Sequence, residues 1–265
     1  MFDRLENALM QGADALVARY RRPPRPEIVR DARIVAHRGI FDNANVFENT
    51  LAAFDAVVAH GVWGIECDVR WTRDGIAVIH HDPDGRRLFG RARPIDTLDR
   101  QAMRRVYPLI PTLAAVVRRY GRKRHLMIEV KKTAGIPIAA VNRSLAADLA
   151  GLTPGVDFHL MSLSLDFLTA IDAVPRHACL PIARLNVGAA SRAVASFGFG
   201  GLTGHYTLIG RRQIAALHRR GRSVGTGFVN SRGCLFRELN RGVDWLFSDR
   251  PLAIQRHVER YWPPA

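Results

Sequence analysis

The chain is poor in lysine and cysteine and has no long apolar run. Only three of its 39 basic residues are lysine, and the others are arginine. The three cysteines, Cys67, Cys179 and Cys234, lie far apart, match no zinc-binding spacing and leave one thiol over in any disulfide pairing. This usage favours a reducing compartment.

No apolar run approaches the roughly 18 residues that a membrane-spanning helix needs. The opening residues 1–6 carry acidic side chains before any apolar segment and lack a cleavage-site pattern, so we expect no secretory signal peptide. We therefore expect a cytoplasmic protein.

The formal net charge of +15 would concentrate anionic substrates and favour peripheral contact with anionic membranes or nucleic acid. The basic residues are scattered and are not interleaved with aromatic residues, which argues against a specific nucleic-acid partner. With 265 residues and 48% hydrophobic content, the chain predicts one large domain.

Charged residues recur at the ends of apolar segments. Successive side chains of a strand point to opposite faces, so Glu66 and Asp68 share one face of a predicted strand. Glu129 and Lys131 share a face of another. Burying such charge is costly unless it is paired or coordinates a metal, so these positions predict a paired or metal-binding site.

Asp74-Gly75 between two apolar runs predicts a hairpin turn. Counting the register of that hairpin places His81 roughly opposite Asp68 and therefore beside the acid pair. His80 would point the other way and serve the structure.

These motifs together resemble the glycerophosphodiester phosphodiesterase family, which shares a metal-dependent barrel with the sphingomyelinase D enzymes. The matching motifs, in the family's order, are His37-Arg38-Gly39, Glu48-Asn49-Thr50, Glu66-x-Asp68-Val69, Asp74-Gly75, His81-Asp82, Pro111-Thr112-Leu113, Glu129-x-Lys131, Gly242-Val243-Asp244 and Ser248-Asp249-Arg250-Pro251. They extend over roughly residues 33–251. Each motif alone is weak, whereas the ordered set is specific.

The resemblance implies a metal-dependent hydrolase that releases an alcohol and sn-glycerol 3-phosphate from small glycerophosphodiesters. It implies the following roles: His37 and His81 as the acid–base pair, Arg38 and Lys131 as phosphate-binding residues, and Glu66, Asp68 and Glu129 as ligands of one divalent cation. Oxygen ligands suit Mg²⁺ or Ca²⁺ and do not choose between them. The attacking group, water or the neighbouring glycerol hydroxyl, stays open.

Several positions and functions stay open as well. Glu48 would either touch the metal or orient a neighbour, and Ser162, His205 and Tyr206 would either line the pocket or serve their loops. Two other functions are considered, phospholipase D-like action on lysophospholipids and a noncatalytic barrel that binds anionic lipid.

Short apolar runs alternate with helical patterns along the chain, which is typical of βα units and a parallel sheet. Setting aside an antiparallel hairpin arm at residues 76–80 leaves eight strands. This predicts the α/β class and a (β/α)₈ TIM barrel over residues 31–265, with an extra hairpin strand after strand 2. The polar, arginine-rich run 84–93 is expected to be a loop over the pocket.

Residues 1–30 are expected to form an N-terminal amphipathic helix, over residues 2–20, and a basic, proline-rich linker. The helix would close the bottom of the barrel. The alternative is a membrane-surface anchor whose arginines meet lipid head groups.

Overall fold

Eight short apolar segments form parallel strands that close into a barrel. A computed structural model describes residues 12–20 and 22–261 of the chain. Its strands are β1 (Ile34–Ala36), β2 (Gly64–Trp71), β3 (Ala77–Ile79), β4 (Asp84–Gly85), β5 (Arg91–Pro94), β6 (His125–Val130), β7 (Phe158–Ser162), β8 (Cys179–Ala183), β9 (Gly201–His205), β10 (Ser223–Gly227) and β11 (Trp245–Ser248). The ring runs in the order β1-β2-β6-β7-β8-β9-β10-β11, and β11 pairs back with β1. The predicted TIM barrel is confirmed.

Helices follow the strands and cover the outside of the barrel. They are α1 (12–17), α2 (Pro26–Arg30), α3 (Leu51–Ala59), α4 (Arg86–Phe89), α5 (Arg100–Val106), α6 (Leu113–Tyr120), α7 (Ile138–Asp148), α8 (Leu165–Ala170), α9 (Val187–Phe197), α10 (Arg211–His218), α11 (Arg232–Leu239) and α12 (Pro251–Tyr261), with 3₁₀ turns at Ile95–Thr97 and Arg176–Ala178. Among these described residues, every helix falls short of the length and apolar character that a bilayer crossing requires.

Side-chain alternation divides the core into two layers. The outward-facing residues of β2, such as Cys67 and Val69, are buried against the helices. Inside the barrel, Val35, Met127, Met161, Leu180, Trp245 and Phe247 form a separate apolar cluster. Each such side chain contributes about 1.5–3 kcal/mol by its burial.

Thr50, the last residue of the Glu48-Asn49-Thr50 motif, uses its hydroxyl to begin a helix. It precedes α3, and its Oγ1 accepts a hydrogen bond from the Ala53 backbone N–H at 3.3 Å. Such an N-cap is worth about 1 kcal/mol. The cap starts α3 directly after Glu48 and Asn49, so it holds both side chains at the carboxyl end of the barrel.

The β2–β3 hairpin forms as predicted, but its register differs by one residue from the predicted one. Val69 lies opposite Ile79, and the His80 backbone N–H donates to the Asp68 carbonyl at 2.9 Å. The predicted position of His81, roughly opposite Asp68, is therefore one residue off, because His80 takes that place. β3 ends at Ile79, so strand alternation does not govern the next two side chains. His81 lines the pocket and His80 is buried against Phe89, which agrees with the sides that were predicted for them.

Residues 84–93 form an ordered insertion between β3 and α5, so the prediction of a loop was wrong. β4, α4 and β5 form a small unit around the Tyr107 hydroxyl, which lies 2.8 Å from the Arg91 carbonyl and 2.7 Å from the Arg93 carbonyl. The Gly85 backbone N–H donates to the same hydroxyl at 3.1 Å. Sequence patterns missed the unit because one distant side chain organises it.

Residues 14–18, which include most of α1, lie at the carboxyl end of the barrel. The Tyr206 hydroxyl, just after β9, donates to Asp14, and the carbonyls of Val17 and Ala18 pack so closely on Gly233 that a Cβ there would clash. The prediction of a helix closing the bottom was wrong for this part, because its partners lie where β9 ends and α11 begins. The predicted helical residues 2–11 lie outside the described residues.

Candidate active site

Three carboxylates converge at the carboxyl ends of β2 and β6. Parallel pairing sets Asp68 beside Glu129, and Glu66 lies two residues earlier on the same inward face of β2. One oxygen from each of the three lies within 4.8 Å of the others. The predicted ligand residues are therefore together in one cluster, whose carboxylates are close enough to share a single cation.

Burial and mutual repulsion oppose full ionisation of this cluster. Burial, followed by the charge of Asp68, raises the pKa of Glu66, and the same two causes raise the pKa of Glu129. Glu66 Oε1 is buried and accepts no hydrogen bond from the described residues. An unsatisfied oxygen among crowded carboxylates fits a bound divalent cation, because the cation would supply both the missing partner and the missing charge.

Asn49 holds Asp68 by two hydrogen bonds. Its Nδ2 donates to Asp68 Oδ2 at 2.8 Å, and its Oδ1 accepts from the Asp68 backbone N–H at 3.1 Å. Asn49 has φ of 58°, a left-handed conformation that asparagine tolerates better than most residues. Asn49 belongs to the Glu48-Asn49-Thr50 motif, but the sequence alone predicted no role for it.

Two basic side chains neutralise part of the cluster's charge. Lys131 Nζ lies 2.8 Å from Asp68 Oδ1 and 2.5 Å from Glu129 Oε1. Arg38 donates its backbone N–H to Glu66 Oε2 at 2.9 Å, and its Nε lies 3.2 Å from Asp68 Oδ2. Both side chains line the pocket, so they sit where an anionic substrate would enter.

Glu48 orients Arg38 and is not part of the carboxylate cluster. It is buried, and its Oε1 accepts from Arg38 Nη1 at 2.9 Å. Arg87, from the insertion, adds hydrogen bonds of 2.6 and 3.0 Å to the same carboxylate. Of the two roles predicted for Glu48, this geometry supports the orienting one.

His37 follows β1 and lies against Glu66. Its Nδ1 is 2.6 Å from Asp249 Oδ1 and its Nε2 is 3.9 Å from Glu66 Oε2. Although burial opposes its charge, Glu66 and Asp249 together raise the pKa of His37. Asn230 donates to Asp249 Oδ2 at 2.9 Å and so fixes that carboxylate. The protonated imidazole is favoured here.

His81 lies on the other side of β2, after β3. Its Nδ1 is 2.7 Å from Asp82 Oδ1, and Arg87 Nε donates to Asp82 Oδ2 at 2.6 Å. Burial is the largest cause that lowers the pKa of His81, and the charges of Arg38 and Lys131 add to it. The two histidines therefore flank the carboxylates, and their pKa values are shifted in opposite directions.

The three residues with open assignments differ in where they lie. Ser162 is buried and donates to the Val130 carbonyl at 2.9 Å, which serves the loop. His205 lines the pocket and its ring packs 5.3 Å from that of Phe228. Tyr206 is buried and turned towards Asp14, outside the pocket wall.

The pocket is a cavity of about 580 Å³ with one charged and one apolar side. Its apolar side is formed by Met161, Leu163, Ile182, Leu208, Phe228 and Phe247. A small phosphodiester could therefore place its phosphate on the charged side and its alcohol against the apolar one.

Arg87 links the two halves of the charged side, so its removal should impair turnover. Replacing it by methionine frees both Glu48 and Asp82, and hence the side chains of Arg38 and His81. We expect kcat to fall about tenfold or more with a smaller change in KM, and Arg87→Lys to restore part of the loss. Steady-state kinetics of the purified variants measures this.

Arg86→Met is the matched control, because Arg86 is the adjacent arginine and only approaches Asp84 at 3.8 Å. Equal kcat for Arg87→Met and the wild type would show that the bridge does not position either group.

Comparison with known proteins points to one family. The model of the glycerophosphoryl diester phosphodiesterase family matches residues 37–253. YhdW of Bacillus subtilis, provisionally named a glycerophosphodiester phosphodiesterase, is 29% identical over 238 residues, which cover 82% of this chain and 94% of the relative. A glycerophosphodiester phosphodiesterase of Caldanaerobacter subterraneus is 51% identical over 49 residues, 18% of this chain and 19% of its own length.

Solved structures share the fold. A phosphodiesterase of Oleispira antarctica, in complex with the product sn-glycerol-3-phosphate, superposes with a TM-score of 0.73 at 23% identity, over 86% of this chain and 96% of that one. A glycerophosphodiester phosphodiesterase of Thermotoga maritima gives 0.71 at 20% identity, over 85% and 97%.

Proposed function

Because this chain belongs to the glycerophosphoryl diester phosphodiesterase family and hydrolyses glycerophosphodiesters to an alcohol and sn-glycerol 3-phosphate, we propose that its charged pocket carries out that reaction. The observation that carries this assignment is the convergence of Glu66, Asp68 and Glu129 between two histidines, each of which is oriented by an aspartate. The lysophospholipid and noncatalytic alternatives are not favoured, since the relatives are glycerophosphodiester enzymes.

The family depends on a divalent cation, which Glu66, Asp68 and Glu129 would hold. Bound there, the cation would stabilise negative charge on the phosphate oxygens. The all-oxygen donor set supports Mg²⁺ or Ca²⁺ as its identity.

Arg38 and Lys131 bind the phosphate from the protein side. Glu48 holds the Arg38 guanidinium in place, so its planar fork can donate two parallel hydrogen bonds to a phosphate. Lys131 adds a point charge beside Asp68 and Glu129. Both groups are in place before substrate arrives, so they stabilise developing negative charge without reorganising.

The histidines move the protons. His81 is neutral near pH 7 and takes the proton of the attacking group. If that group is water, sn-glycerol 3-phosphate forms directly; if it is the neighbouring glycerol hydroxyl, a cyclic phosphate forms first, and water then opens it to sn-glycerol 3-phosphate. His37 is favoured in its protonated form and gives a proton to the leaving alcohol oxygen as the phosphorus–oxygen bond breaks. Asp249 and Asp82 each bind an Nδ1, so each ring is oriented for transfer through Nε2.

We further propose a cytoplasmic location and peripheral contact with anionic membranes. The free, buried thiols of Cys67, Cys179 and Cys234 support the first. The net charge of +15 supports the second.

One assay tests the proposed reaction. Purified protein is incubated with glycerophosphocholine or with lysophosphatidylcholine, with added Mg²⁺ or Ca²⁺ and with or without excess chelator, and released choline and glycerol 3-phosphate are measured. We expect both products from glycerophosphocholine and their loss with chelator. Release from lysophosphatidylcholine alone, or inactivity towards both with either metal, would contradict the proposal.

A further inference from the structure

Exposed large apolar side chains concentrate at the catalytic end of the barrel. Those with high exposure in residues 12–20 and 22–261 are Leu16, Leu109, Ile138, Val156, Leu163, Leu185, Phe197, Phe228 and Tyr261. The carboxyl ends of the strands and the starts of the following helices lie at the catalytic end. The position of a residue relative to its nearest strand or helix therefore shows at which end of the barrel it lies.

Six of these residues lie at the catalytic end. Leu163 and Phe228 directly follow β7 and β10, and Leu185 lies two residues after β8. Leu109 precedes α6, Ile138 begins α7, and Leu16 lies on α1. The others, Val156, Phe197 and Tyr261, precede a strand or end a helix and lie at or towards the opposite end. We call the six residues the catalytic rim.

Four of the six rim residues lie outside the pocket, whereas Leu163 and Phe228 also line it. Leu185 is 93% exposed and lies outside the pocket wall, although the adjacent Arg184 lines it. Phe228 is 44% exposed while one edge of its ring packs on His37. Single exposed apolar residues are ordinary, but a group of them around one opening marks an interaction surface.

Arginines accompany the apolar side chains at this end. Arg184 precedes Leu185 on the loop after β8, and Arg211 and Arg212 open α10; all three are exposed. Arg86, at the start of α4, is exposed as well. Exposed acidic residues at this end include Asp42 after β1, Asp166 at the start of α8 and Asp249 after β11, and Asp249 is paired with His37. Apolar tips next to arginines are complementary to an interface of acyl chains and anionic head groups.

We propose that the catalytic rim docks on an anionic lipid bilayer, with its apolar tips in the interface and its arginines among the head groups. The active-site pocket then opens towards the membrane surface. α1 belongs to this face, because Leu16 is exposed on it while Val17 packs inward on the core. This proposal deepens the membrane contact proposed above, and its test avoids the reaction because four rim residues, Leu16, Leu109, Ile138 and Leu185, do not line the pocket.

Vesicle sedimentation tests the proposal on the full-length protein. The probes are vesicles of phosphatidylcholine alone and of phosphatidylcholine mixed with phosphatidylglycerol. We expect binding to the mixed vesicles, weaker binding to the neutral ones, and an approximately tenfold lower partition coefficient for Leu185→Asp, the loss expected when one leucine can no longer enter the apolar phase.

Val156→Asp is the matched control, because Val156 is 70% exposed and lies at the opposite end of the barrel. It should bind vesicles as the wild type does. Leu185→Asp should retain the wild-type rate on soluble glycerophosphocholine, so a failure of docking and a failure of the proposed reaction give separate results.

Three outcomes would overturn the proposal. They are absence of vesicle binding by the wild type, equal binding by Leu185→Asp, and an equal loss in Val156→Asp. A wild-type dimer in light scattering that Leu185→Asp converts to a monomer would instead assign the rim to a second copy of the chain.

Discussion

Glu66→Gln is expected to lower kcat by about a thousandfold or more. The substitution keeps the shape of the side chain and removes one charged ligand, so the site loses several kcal/mol of the electrostatic stabilisation that a bound cation would give the transition state. The variant should still fold, because burial already opposes ionisation of this carboxyl and raises its pKa. Steady-state kinetics and metal titration by calorimetry measure the two effects.

Cys67→Ala is the matched control for that experiment. Cys67 is the next residue of β2, is equally buried and faces the helices. We expect it to lose stability through the cavity that it leaves, and to keep the metal affinity and kcat of the wild type. Unchanged metal affinity in Glu66→Gln would remove Glu66 from the ligand set even if activity fell.

His37→Ala and His81→Ala are each expected to lower kcat by about 10²–10⁴-fold, the usual contribution of a positioned acid or base. Metal affinity should change little, because the cation would be held by the three carboxylates. His80→Gln is the control: His80 is buried beside Phe89, with Nε2 3.0 Å from the Asp84 carbonyl, so its loss should lower thermal stability and leave kcat in place.

The pH profile tests which histidine is the base. Activity is lost on the acid side as the base takes up a proton, so the acid limb reports the pKa of His81. Since burial lowers that pKa from 6.5, activity should persist below the pH at which an ordinary histidine protonates. Asp82→Asn should move the limb lower still, because the hydrogen bond that His81 donates to the Asp82 carboxylate raises this pKa. An acid limb unmoved by Asp82→Asn, or moved upward, would contradict the assignment.

The barrel could be predicted from the sequence because its signals are local. Apolar runs alternate with helical patterns, and eight parallel strands with short connections have few ways to close. Strand alternation alone predicted that the side chains of Glu66 and Asp68 point to the same face of β2. Their approach to Glu129 required only that β2 and β6 be neighbours in the ring, which the barrel supplies.

The supporting residues could not be predicted, because their partners are distant in the chain. His37 is oriented by Asp249, 212 residues away, and Glu48 is held by Arg87, 39 residues away. Asp249 and Asn49 belong to motifs that the sequence shares with the family, and this was the one signal that could have pointed to them as site residues. The register of the hairpin and the order within residues 84–93 were predicted wrongly, because the β3 end and the Tyr107 hydroxyl decide them.

By itself, the amino-acid sequence determined the fold class, the family and the types of chemical group available, since all three depend on residue identity and short-range periodicity. Tertiary structure alone decided in which direction the pKa of each histidine shifts, which basic side chain pairs with which carboxylate, and which end of the barrel carries α1. The physical reason is that burial, charge and hydrogen bonding act through space, so they depend on distances that residue order does not contain.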